Sequence, residues 1–312
     1  MKQERSNGNA DKIDNGTLEP PPGPAPLWVA CHTLLAGHEE EFLSCWKKVE
    51  AAFQEDDVHD LRVASRRLRE GLALFSPCLP AKKSRQLRKQ LKKVTTLLGE
   101  LRNTDEAALF FSALTPEETP HSRNEVGELL AQLKDERERA HKKLRKDLKS
   151  LNLNPLQSDL AALPLEQNLF DNAAVDHFMS VALFAAGAIM ERARTLAELL
   201  PRAVHQADSE AQHQLRIAVK KMRYRLEIIA PLLKRDYQEL HGALKGYQEV
   251  LGKLHDIDVF RQMLQERIDD RPGRRELLHV MAQKRRRLHA TFLEKLKINP
   301  LGSIGERVRD AL

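Results

Sequence analysis

Residues Val58 to Pro77 read VHDLRVASRRLREGLALFSP, and residues Gln212 to Pro231 read QHQLRIAVKKMRYRLEIIAP. Laid over each other 154 residues apart, they agree at His59/His213, Leu61/Leu215, Arg62/Arg216, Ala64/Ala218, Arg69/Arg223, Leu72/Leu226 and Pro77/Pro231. Basic residues also stand opposite each other at Arg66/Lys220 and Arg67/Lys221. A histidine, a set of cations and an apolar frame in the same order twice identify an internal duplication. At about 3.6 residues per turn, His59, Arg62, Arg66 and Arg69 share one helix face, and His213, Arg216, Lys220 and Arg223 share the matching face of the copy. Leu61, Ser65, Leu68, Leu72 and Phe75 lie about a third of a turn away, as do Leu215, Val219, Met222, Leu226 and Ile229 in the copy. Neither basic stripe is read as carrying a carboxylate. A merely solvated helix usually mixes signs there, because i, i+4 ion pairs are mildly favourable. A plain Lys/Arg surface is the bland alternative for one such helix; its recurrence, opened each time by a histidine, favours a surface built for anions.

Further echoes flank this one. LGELRNTD, Leu98 to Asp105, returns as LGKLHDID, Leu251 to Asp258, 153 residues on. Gly99 and Gly252 are expected to mark a bend or a close helix contact, and Asp105 and Asp258 to cap the following helix. The same spacing pairs Lys92 with Lys245. A weaker echo, 148 residues apart, aligns Arg137 with Arg285 and His141 with His289. The periodicity predicts helices over about Leu27–Phe53, then the basic helix of the Val58–Pro77 stretch ended by Pro77 and Pro80, then Ala81–Leu98, Ala107–Leu114 and Arg123–Leu151, and a second set opening at Val175–Leu200. Met1 to Pro26 is polar and then proline-rich (EPPPGPAP), which predicts a disordered tail and a stiff linker. The first half is placed at 27–151, a linker at 152–170, the second half at 171–300 and a C-terminal tail at 301–312. The expected fold is all-α: two internally duplicated helical bundles related by a pseudo-two-fold, with a basic cleft or pore at the centre.

Composition fits. The 312 residues carry 51 Lys+Arg against 45 Asp+Glu, a net charge of +6, so clustering matters more than the total. Aromatic residues are 5%, Gly is sparse, and Leu, Ala, Arg, Lys and Glu abound, which favours helices. Cys31, Cys45 and Cys78 form neither a disulfide framework nor a CxxC pair; Cys31 and Cys45 fall on apolar faces as small core residues of a reduced, cytoplasmic protein. The longest apolar run, Val181 to Met190, is too short to span a membrane.

Two HxxRxxxRRxR-type helices, each followed by an LGxL segment, make the chain resemble the CHAD family, the conserved histidine α-helical domain, from Leu27 to about Pro300. The resemblance implies two helical bundles facing each other across a positive cavity. It implies binding of inorganic polyphosphate, often at polyphosphate granules, with no catalysis and no cofactor or metal. By motif match that role falls on His59, Arg62, Arg66, Arg69, His213, Arg216, Lys220 and Arg223, with Lys92, Lys245, Arg137, His141, Arg285 and His289 as second-tier candidates. Asn103 and His255 depart from the family pattern, and Tyr224 stands opposite Glu70.

The chemistry agrees with that implication. Polyphosphate is a flexible thread of about one negative charge per phosphate with no bases to read, so its receptor needs cations held together by a rigid scaffold. Arg offers paired donors to phosphoryl oxygens, Lys a point charge, and His a donor whose charge depends on pH. Nucleic acid is the closest rival ligand, but base stacking wants aromatics among the cations and only Tyr224 lies near a stripe. A metal-dependent phosphohydrolase, suggested by His59-Asp60, Asp256 and Asp258, is disfavoured because arginines around His59 repel a cation. No pattern of a nucleophilic enzyme occurs.

Overall fold

The computed structural model describes residues 25–151, 153–163, 175–176 and 178–312. The expected disordered tail, up to residue 24, and much of the expected linker lie outside the described residues. Ten α-helices follow in order: α1 (Leu27–Ala52), α2 (Glu55–Leu74), α3 (Ala81–Ser112), α4 (Arg123–Ser150), α5 (Asn154–Ala162), α6 (Val181–Ala203), α7 (Ser209–Ile229), α8 (Tyr237–Arg267), α9 (Pro272–Ile298) and α10 (Ile304–Ala311). The protein is all-α, and no strand occurs among the described residues.

Each boundary has a local cause. Glu55, Asp56 and Asp57 open α2, where carboxylates meet the positive end of the helix dipole. Asp208 caps α7 by accepting from the Ala211 amide at 2.9 Å. Pro77 and Pro231 follow the two basic helices and turn the chain into short 3-10 segments.

Helix α3 runs unbroken through the LGELRNTD segment, and α8 through LGKLHDID. The expected bend at Gly99 and separate helix from Ala107 are therefore corrected. With no proline nearby, an interior glycine costs only about 1 kcal/mol, which a long helix absorbs. Asp105 and Asp258 are likewise not caps; they sit inside these helices and accept from arginines on α4 and α9. Helix α6 begins at Val181, six residues later than expected. The predicted linker contains α5, with Leu156 and Leu160 buried. The last residues are not a loose tail: α10 buries Ile304, Val308 and Ala311. Its Gly305 lies so close to Ala193 of α6 that a Cβ there would collide.

Neighbouring helices repeat the duplication. In the first half α1 packs on α2, α2 on α3 and α3 on α4; in the second, α6 packs on α7, α7 on α8 and α8 on α9. The halves meet where α2 packs against α7. The apolar stripe of each central helix faces the core: Leu61, Ser65, Leu68, Leu72 and Phe75 are buried, as are Leu215, Val219, Met222, Leu226 and Ile229. Gly71 permits the close approach of α1 to α2, since a Cβ there would stand 2.8 Å from Leu35. Ion pairs span the α2–α7 seam: Arg67 donates to Glu227 at 2.7 Å, and Arg225 to Glu70 at 3.0 Å. Cys31, Cys45 and Cys78 are all buried and free. Trp46 is core, whereas Trp28 is only half-buried because Leu27 takes the inward position.

Candidate functional site

The apolar stripes fix the rotation of α2 and α7, and with it the direction of their cations. Arg62 and Arg66 from α2 and Arg216 and Lys220 from α7 come together at the seam. Burial lowers the Lys220 ammonium to about 6, and Arg66, Arg216, Arg62 and Arg102 push it the same way. Burial lowers Arg62 to about 9, with Arg66, Arg102 and Arg216 adding their repulsion. Arg216 falls for the same reasons, although Asp256 pulls it back. Arg69 is lowered by burial and by Arg66. Tyr224, 5% exposed, lies among these guanidiniums.

These cations lack counter-ions. Among the described residues, Arg62, Arg66, Arg69, Arg216 and Lys220 close no ion pair with a carboxylate, and the buried Nε of Arg62 has no hydrogen-bond partner. A buried donor without an acceptor is costly, and buried charges are normally paired. The cluster is therefore a concentration of positive charge that no carboxylate balances by an ion pair among the described residues.

Arg102 belongs to this group and was not among the expected site residues. It acts on Arg62, Arg216 and Lys220 from α3 and is held by Glu106 at 3.1 Å. Its signal was present in the LGELRNTD echo, where it stands opposite His255. That histidine also joins the site: the Nδ1 atoms of His213 and His255 are 3.0 Å apart, one ring donating to the other. Burial, Arg216 and His213 lower His255 to about 4, and burial and Arg216 lower His213. Burial and the neighbouring guanidinium thus push both imidazoles toward the neutral form.

His59 is exposed and lines a cavity of about 230 Å³ with Arg62, Arg102 and His141. Glu55, Asp105 and Glu106 line it too, so this end of the seam is mixed in charge. His141 packs edge-on against Phe53. A larger cavity, about 470 Å³, has Leu109, Phe110, Ile257, Phe260 and Leu288 on its wall together with Lys253, Lys284 and Arg287, and it adjoins the cation cluster through Glu106 and Asp256.

Six of the expected residues sit elsewhere in the electrostatics. Arg223 donates to Glu227 at 2.7 Å and to Gln248 at 3.0 Å, and is 7% exposed. Glu227 continues the α7 stripe by one turn, so the stripe read as free of carboxylates is closed by one. Arg285 donates to Asp258, Gln212 and the Gln206 carbonyl, while Arg137 donates to Asp105 at 2.6 Å and to Glu55. Both arginines tie helices together, Arg285 through all three of its nitrogens and Arg137 through Nε and one terminal nitrogen. His289 is buried beside Phe292, and burial and Arg285 lower it. Lys92 is exposed on α3 and Lys245 half-buried on α8; neither is among the cations acting on Arg62, Arg216 or Lys220.

Two like-ordered sets of helices joined through a pair of cation-bearing central helices define a duplicated helical-bundle protein. The CHAD domain profile matches residues 33–265, and the chain belongs to the CHAD family. The chain is similar to the crystal structure of the CHAD domain from the plant Ricinus communis, at 25% identity and a TM-score of 0.59, over 92% of this chain and 93% of that one. It is also similar to PptA from Streptomyces chartreusis, at 16% identity and a TM-score of 0.66, over 88% of this chain and all of that one; at that identity the likeness speaks for the fold alone. No curated protein matches the chain in sequence. No helix among the described residues is long and apolar enough to cross a membrane.

Proposed function

We propose that the chain binds inorganic polyphosphate, or a similar polyanion, along the seam between α2 and α7, without chemically converting it. The family is associated with polyphosphate. The observation that carries the reading is the unpaired cluster of Arg62, Arg66, Arg216 and Lys220, drawn from both halves. Bringing these charges together while half-buried costs free energy, and a chain of phosphates recovers it by supplying an acceptor oxygen to each donor. Arg62, Arg66, Arg69 and Arg102 contact the anion from one side, Arg216, Lys220 and the His213/His255 pair from the other; His59 and His141 stand at the mouth. Arg137, Arg223 and Arg285 hold the frame. Counterion release makes the affinity steeply salt-dependent, as for other phosphate polymers. The same ligand would carry the chain to polyphosphate granules.

Competition binding tests the proposal. Long-chain polyphosphate displaces duplex DNA and tRNA from the protein at equal salt; tighter binding of either nucleic acid would overturn it.

A further inference from the structure

The cavity of about 470 Å³ walled by α3, α8 and α9 lies beside the cation cluster but shares none of its cations, and its size suits a small molecule. Part of the wall is aromatic: the Phe110 and Phe260 rings, one from each half of the chain, meet at 5.2 Å. Leu109 carries the apolar wall into solvent, at 66% exposed, and stands between this hollow and the smaller one at His59. A lone exposed leucine needs no explanation; beside an apolar hollow it extends the surface a ligand covers. The duplication does not repeat the feature, since Gln262 stands 153 residues on from Leu109 and Glu136 stands 148 residues before Lys284. The hollow is thus peculiar to one side of the molecule and not a by-product of the repeated frame.

The charged residues on its wall fall into two groups. Glu106 and Asp256 are half-buried and engaged with the cation cluster: Glu106 accepts from Arg102 at 3.1 Å, and Asp256 feels Arg216 and Arg102. Lys284 is held by Glu118 at 2.5 Å. Lys253 of α8 and Arg287 of α9 are exposed and close no ion pair among the described residues. A guest of this hollow therefore meets apolar carbon and two unengaged cations.

We propose that the hollow is a second binding site, for a small amphipathic monoanion: a free medium-chain carboxylate with its hydrocarbon against Leu109, Phe110 and Phe260 and its head toward Lys253 and Arg287. Removing the hydrocarbon from water supplies most of the affinity, and the two cations select a charged head over a neutral one. Inorganic polyphosphate has no apolar part and gains nothing from this wall, so the two ligands differ in chemistry although their sites adjoin. Binding is non-covalent and changes no bond in the guest.

The test is calorimetric titration of the full chain with octanoate, hexanoate and 1-octanol, each below the concentration at which it self-associates. Octanoate is expected to bind once per protein and roughly tenfold more tightly than hexanoate, because each buried methylene changes affinity about fourfold. 1-Octanol keeps the tail and loses the charge, so it binds about threefold more weakly than octanoate. Arg287→Gln, at an exposed position, brings octanoate down toward 1-octanol and leaves 1-octanol unchanged. Leu109→Asp weakens octanoate by roughly fivefold or more, with circular dichroism showing the helices intact. Octanoate no tighter than hexanoate would overturn the inference, since surface cations alone would then be holding the head. 1-Octanol as tight as octanoate, with Arg287→Gln silent, would overturn the anionic class of the ligand. Polyphosphate is absent from these titrations, so their failure and that of the polyanion site are read separately.

Discussion

Arg285 closes a two-pronged ion pair on Asp258, at 2.7 and 3.1 Å, and spends its remaining donors on Gln212 and the Gln206 carbonyl. The first half repeats the theme in weaker form, with Arg137 on Asp105 and Glu55. In both halves an arginine on the fourth helix of the set clamps an aspartate inside the third. Arg285 is 7% exposed, while the Arg137 side chain is 39% exposed, so the two pairs differ in worth. Removing one partner of a buried pair strands the other and typically costs about 3 kcal/mol; an exposed pair is worth about 1 kcal/mol or less. Arg285→Ala is therefore expected to lower the urea midpoint far more than Arg137→Ala. Equal losses would contradict the assignment of Arg285 as the internal strut.

Glu227 is the second strut. Burial raises its carboxyl, but the hydrogen bond to His241 and the charges of Arg67 and Arg223 hold it down at about 2. Its folded value lies below the unfolded one, so its stabilisation is complete above about pH 4.5 and disappears as pH falls toward 2. Glu227→Gln is expected to cost about 3 kcal/mol at pH 7, with the gap to wild type closing below pH 4 in chemical denaturation. A gap that persists at low pH would assign the loss to packing.

At Lys220 a shift in the same direction marks a penalty on the charged form rather than a gain. Its folded value, about 6, lies below the unfolded 10.5, so the unfolded chain binds more protons between those limits and stability rises with pH there. The penalty is absent above the unfolded value, grows as pH falls and is complete below about 6. Lys220→Met, which removes the charge and keeps the length, is expected to raise the urea midpoint of the ligand-free protein, more at pH 6 than at pH 9. A destabilised Lys220→Met at both pH values would show that the ammonium is stabilised by a partner.

The α2 and α7 stripes were legible because a helix's period turns residue spacing into direction, and the apolar residues left only one face for the cations. All-α architecture and duplication followed from the same spacing. Arg102 escaped because its approach to Arg62 depends on how α3 folds back along α2, a tertiary fact that no period encodes. Arg285 and Arg137 looked like free cations because Asp258 and Asp105 are far from them in the chain. Arg223 is different: Glu227 is four residues on, within reach on the same helix, and the stripe was read one turn too short. The C-terminal helix has its own apolar spacing at Ile304, Val308 and Ala311, but its 8 residues are fewer than the window over which a helical period is read.

In the proposed site, cations from the two halves serve one anion rather than one each. Isothermal titration of the protein with polyphosphate of defined medium length, beside Arg66→Glu on α2 and Arg216→Glu on α7, tests it most directly. Each reversal adds like-charge repulsion to a lost contact. A shared site predicts one chain bound per protein, with either variant alone weakening that single event by roughly tenfold or more. Two binding events of which each variant removes only one, while circular dichroism shows both variants folded, would contradict it.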